Sequence, residues 1–63
     1  MKNKLPKRRA IVSKVYSKNA SPEVVQEVLN DALKEVKNGE TIEAIEPVDC
    51  NESSLVFVIY VEK

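Results

Sequence analysis

The sequence has no histidine, no tryptophan, one cysteine and one glycine in 63 residues. Without histidine it lacks the commonest general base and the usual partner of a serine or cysteine nucleophile, so Ser53 and Ser54 have nothing to activate them. One cysteine excludes an intramolecular disulfide, and without histidine or a cysteine cluster there is no ordinary zinc or iron–sulfur ligand set. Cys50 sits beside Asp49, Asn51 and Glu52, with no cationic neighbour in sequence to favour its thiolate. The single glycine, Gly39, rules out a glycine-rich phosphate cradle, and no G-x-S-x-G, H-E-x-x-H or C-x-x-C occurs. These absences predict a non-enzymatic protein that needs no metal or cofactor.

Long apolar runs are also missing. No stretch approaches the ~20 residues a membrane helix requires, and Ser13 and Lys14 interrupt Ala10-Ile11-Val12 well short of a signal-peptide core. A cytoplasmic protein with Cys50 reduced is the expectation. What is present is an ordinary globular balance, 43% hydrophobic and 32% charged. A chain this short builds a core worth only roughly 3–5 kcal/mol, so association is the remaining source of stability.

The net charge of zero hides an asymmetry. Residues 1–18 hold seven cations, namely Lys2, Lys4, Lys7, Arg8, Arg9, Lys14 and Lys18, and no acid. All ten acids follow, with only Lys34, Lys37 and Lys63 among them. Such a like-signed stretch marks either an anion-binding surface or a segment that pairs with the acidic remainder, within the chain or across a subunit contact.

Residues 1–7, with Pro6, read as a flexible basic arm, and residues 8–63 as one βαββ domain. β-Branched and aromatic residues predict a strand over 8–18 whose faces are Arg9/Ile11/Ser13/Val15/Ser17 and Arg8/Ala10/Val12/Lys14/Tyr16/Lys18. Ser21-Pro22-Glu23 is a helix start, and Val25, Val28, Leu29, Ala32, Leu33 and Val36 form one helical stripe that Asn38-Gly39 should end. The outward face carries Glu23, Glu27, Asp31 and Glu35, a solvated ladder or a docking surface for a basic partner. Thr41 to Cys50 is a weaker strand whose Pro47 points to an edge or bulge. Leu55 to Val61 is apolar on both faces and belongs in the middle of the sheet.

A right-handed crossover followed by a hairpin gives an α+β fold: a three-stranded antiparallel sheet of order 1-3-2 with the helix on one face. The helix is expected over Ile11, Val15, Leu55, Phe57 and Ile59. The opposite face, with Ala10, Val12, Lys14, Tyr16, Val56, Val58 and Tyr60, is too apolar for solvent, and a second copy is its expected cover. Arg8, Arg9, Lys14, Tyr16, Lys18 and Tyr60 form the candidate ligand site. Cations supply phosphate contacts and tyrosines supply stacking, a pairing suited to a nucleotide-like molecule at a subunit interface. The bland alternative makes the tyrosines dimer packing and the cations rim charges. Direct nucleic-acid binding through the basic strand is the less favoured use, given the zero net charge and the acidic helix.

Two resemblances add to this reading. The βαββ order over Val12 to Val61, with Ala20-Ser21-Pro22-Glu23 and Asn30-x-Ala32-Leu33, resembles dodecin, whose small subunits form a hollow flavin-storing shell. This chain has no tryptophan of the kind that stacks on flavin there, so no flavin-site residue carries over. The terminal strand Leu55-Val56-Phe57-Val58-Ile59-Tyr60 is similar to that of small sporulation-associated proteins of Bacilli and their phages, which lend no defined chemistry. By analogy of size, the most specific reading is a phage protein with an anti-defence role, a sponge that sequesters a signalling nucleotide. The alternative is an interaction module or inhibitor acting through the acidic helix face.

Overall fold

The structure, a computed structural model, describes residues 8–63. The expected arm, residues 1–7, lies outside the described residues. The elements are β1 (Arg8–Val12), β2 (Tyr16–Ser17), α1 (Pro22–Leu33), β3 (Thr41–Asp49) and β4 (Ser54–Glu62). They form an α+β fold with one helix and a four-stranded antiparallel sheet.

The two-sided apolar strand, β4, pairs with β1 and β2 along one edge and with β3 along the other. The expected continuous first strand is instead two short ones, and their registers differ. Arg8 to Val12 face Glu62 to Val58, a register that would continue to place Val15 opposite Leu55. Tyr16 takes that position. One extra residue has entered at Ser13–Val15, which is a β-bulge. Ser13 builds it: its N–H donates to the Phe57 carbonyl at 2.9 Å, and its Oγ accepts from the Phe57 N–H at 2.8 Å. The same hydroxyl donates to the Lys14 carbonyl at 2.9 Å. The side chain thus replaces the backbone acceptor that the bulge displaces.

The bulge overturns the expected faces beyond Ser13. Tyr16 lies on the helix side, is 8% exposed and stacks on Phe57 with ring centroids 5.0 Å apart. Val15, expected in the core, is exposed. Before the bulge the expected faces hold: Ile11, Ile59 and Val61 are buried with Ala32, and Leu29, Leu33 and Val36 pack against them.

The helix start follows local chemistry. Ser21 is the extended N-cap residue, its side chain accepts from the Val24 N–H, and Pro22 follows where no donor is needed. The end comes earlier than expected. Beyond Leu33 the chain tightens to bonds from Glu35 N–H to Ala32 and from Val36 N–H to Leu33. Gly39, at φ 88°, then serves the following turn rather than the helix cap.

The helix packs on β4 and β2, and β3 has no buried residue. In β3 the register shift falls between Ile42 and Ala44, not at Pro47. The Cys50 N–H donates to Ser54, so alternation turns the Pro47 nitrogen outward at the sheet edge, where its missing proton costs no ladder bond.

Candidate functional site

The six candidate ligand residues do not converge. Arg8 and Tyr60 stand together on the open sheet face, walling a pocket of about 430 Å³ with Ala10 and Glu43. Tyr60 is 42% exposed. The Arg8 guanidinium donates to Glu62 at 3.0 Å but remains largely in solvent, so this surface pair holds it weakly.

The Arg9 guanidinium is tied down within the chain. Arg9 helps wall the same pocket, and its guanidinium makes two bonds to Glu40, at 2.7 and 2.8 Å, and one to the Glu35 carbonyl at 2.7 Å. Glu40 also accepts from the Lys37 N–H at 2.7 Å. The Arg9 bond and then the Lys37 N–H pull the Glu40 carboxyl down to about 2, and Glu40 raises Arg9. A bidentate arginine–carboxylate pair of this kind fixes geometry. Here it ties β1 to the end of the helix and to the turn before β3.

Tyr16 cannot stack on a ligand, because its ring is buried against Phe57. The register slip that placed it there leaves no trace in hydrophobic periodicity. Lys18 reaches across the sheet to Asp49 at 3.7 Å. Lys14 lines a different cavity, a groove of about 520 Å³ between β1 and the last turns of α1. The cation set is therefore distributed over several surfaces; Arg8 and Arg9 share a pocket with the exposed Tyr60, and of the two Arg8 keeps most of its side chain in solvent.

No protein-family model, curated protein or solved structure matches this chain. Its surfaces have to be read from their own chemistry.

The open face carries exposed apolar side chains, with the acidic Glu46 among them. Direct cross-strand partners share a face, so Ala10, Val12, Ala44, Val48, Val58 and Tyr60 stand together opposite the helix. Val12, Val48 and Tyr60 remain 62%, 41% and 42% exposed. Val56 on this face is buried. The acidic residues Glu23, Glu27 and Asp31 are exposed on the helix and Glu35 is exposed in the turn beyond its end, with Lys34 pairing Asp31 at 3.5 Å. No described helix is long and apolar enough to cross a membrane.

Proposed function

We propose that this chain is a non-enzymatic binding protein that works as a homo-oligomer, with the open sheet face as its subunit contact. The observation that carries this is the Val12–Val48–Tyr60 surface, three large apolar side chains at about half exposure on a domain with six buried hydrophobic residues. A self-complementary face covered by its own copy is the simplest arrangement, and so small a core gains most from added burial. The ligand reading narrows to the pocket at the rim of that face. There Tyr60 offers a ring, Arg8 a guanidinium and Glu43 an acceptor for base or sugar donors, a combination suited to a singly phosphorylated nucleotide-like molecule. A nucleotide sponge is the most specific form of this reading.

Native mass spectrometry of the wild type and Tyr60→Glu tests the contact. A defined oligomer that Tyr60→Glu reduces to a smaller assembly supports it; a wild-type monomer at high micromolar concentration refutes it. Calorimetric titration with mono- and cyclic nucleotides tests the pocket. Arg8→Ala should weaken binding with the open-face contact intact, and equal affinity in wild type and Arg8→Ala would remove Arg8 from the site.

A second reading rests on the exposed acidic ladder of α1, which suits a basic protein surface. Reversal of Glu27 and Asp31 to lysine should then abolish partner binding and leave nucleotide affinity unchanged. Direct nucleic-acid binding loses ground, since Arg8, Arg9 and Lys18 all face carboxylates.

A further inference from the structure

The two sheet edges differ in charge as well as in sequence. Along β1 and the bulge that follows stand Arg8, Arg9 and Lys14, without an acid, Arg9 being paired with Glu40; along β3 stand Glu43 and Glu46, without a base, Asp49 there being paired with Lys18 across the sheet. Among the described residues both edges are open, since β1 and β3 each pair with β4 alone. The Ser13 N–H points to β4, so alternation turns the backbone groups of Ala10 and Val12 outward, free to bond another strand.

Beside that edge lies the 520 Å³ groove, bounded by β1 and by Asp31, Ala32, Lys34 and Glu35 of the helix end. Among the described residues none of β4 lines it, so it opens on the free side of β1. At the other edge the helix side of β3 carries apolar side chains without cover: Ile42 and Ile45 are 41% and 40% exposed. Their partners Val61 and Ile59 place them on the same face as α1. Each chain therefore has a bare strip at one edge and, at the other, a groove under a helix.

We infer that copies of this chain also join head to tail, the β3 edge of one adding to the β1 edge of the next. Ile42 and Ile45 then enter the neighbour's groove beneath α1. Twofold pairing of like edges is disfavoured, because β1 on β1 would bring Arg8 near Lys14, and β3 on β3 would gather Glu43 and Glu46. Joining unlike edges sets each row of charge against its opposite. Both strands run antiparallel to β4, so a neighbour related by rotation about the strand direction presents a parallel partner. Pro47 has no N–H to donate, which confines the ladder to residues 41–46, close in length to the five residues of β1. A heterologous contact of this kind closes into a ring or runs on as a filament.

This contact is distinct from the open face; because Arg8 and Glu46 also stand on that face, Ile42→Glu/Ile45→Glu, on the helix side of β3, is the variant that weakens the edge contact alone. Arg8→Glu/Lys14→Glu makes both edges acidic, and Glu43→Lys/Glu46→Lys makes both basic; the altered side chains are exposed. Sedimentation velocity should show each variant alone assembling about tenfold or more weaker than wild type, with circular dichroism confirming the fold. Mixing the two variants should restore assembly in strictly alternating order, seen as equal masses of each in native mass spectrometry. Assembly of either variant alone at wild-type affinity overturns the inference, as does failure of the folded mixture. Tyr60→Glu provides the separate readout. Loss of assembly in Tyr60→Glu with none in Ile42→Glu/Ile45→Glu leaves the open-face contact standing and removes the edge contact, and the converse removes the open face.

Discussion

Replacing Ser13 by alanine tests the bulge on which the two faces of the sheet depend. The hydroxyl accepts from the Phe57 N–H at 2.8 Å and donates to the Lys14 carbonyl at 2.9 Å, and the residue is 9% exposed. Phe57 lies in the central strand, where water has little access. Alanine would leave its N–H unpaired, a loss of about 1–3 kcal/mol. In a domain of this size each kcal/mol moves the midpoint by about 4–8 °C, so the transition should fall by roughly 4–24 °C. Against a total of roughly 3–5 kcal/mol, the upper end leaves about 0–2 kcal/mol, so up to about half of the molecules would be unfolded at room temperature. Thermal and urea unfolding by circular dichroism should be run at one protein concentration, because association shifts the midpoint. Ser13→Thr retains the hydroxyl and should recover most of the loss. Val15→Ala, at an exposed neighbouring position, should stay within about 0.5 kcal/mol of wild type. A Ser13→Ala protein as stable as Val15→Ala would refute the claim that the serine side chain completes the ladder.

Tyr16→Ala should destabilise the fold by about 3 kcal/mol or more, because it empties the space stacked against Phe57, while Tyr16→Phe keeps the stack; near-wild-type stability of the alanine variant would return Tyr16 to the surface. Glu40 titrates at about 2 when folded against an ordinary value of 4.5. Its folded pKa is depressed, so its contribution is fully present above about 4.5 and is lost as the pH falls through about 2. Melting temperatures followed from pH 6 to pH 2 should therefore fall more steeply for wild type than for Glu40→Gln, and parallel curves would show that the Arg9 pair contributes nothing. Gly39→Ala should cost about 1–2 kcal/mol in chemical denaturation, since φ is 88° and an added Cβ would meet only Lys63 Cε at 3.9 Å, leaving backbone conformation as the penalty. An unchanged midpoint would place that turn outside the cooperative unit.

What the sequence alone determined is what neighbouring residues decide among themselves. Ser21 and Pro22 begin the helix because capping and a fixed φ act within one turn. Seven apolar or aromatic residues in a row put β4 at the centre, because a strand apolar on both faces has to be covered on both. The β1 residues up to Val12 face as their alternation requires, and the charge asymmetry between the two ends of the chain is plain from composition.

Tertiary structure decided the rest. Periodicity assumes an unbroken register, so one inserted residue at Ser13–Val15 moved Tyr16 from the candidate ligand face into the core and left Val15 in solvent. The Arg9–Glu40 pair joins residues 31 apart, and no local pattern could distinguish that arginine from a ligand-binding one. Helix coverage was likewise beyond sequence reach: a single helix shields a limited width of sheet, and its placement over β2 and β4 leaves Ile42 and Ile45 of β3 bare. Local propensities specify the elements, but register and lateral placement arise from contacts between distant segments, and those contacts determine which side chains remain available to a partner.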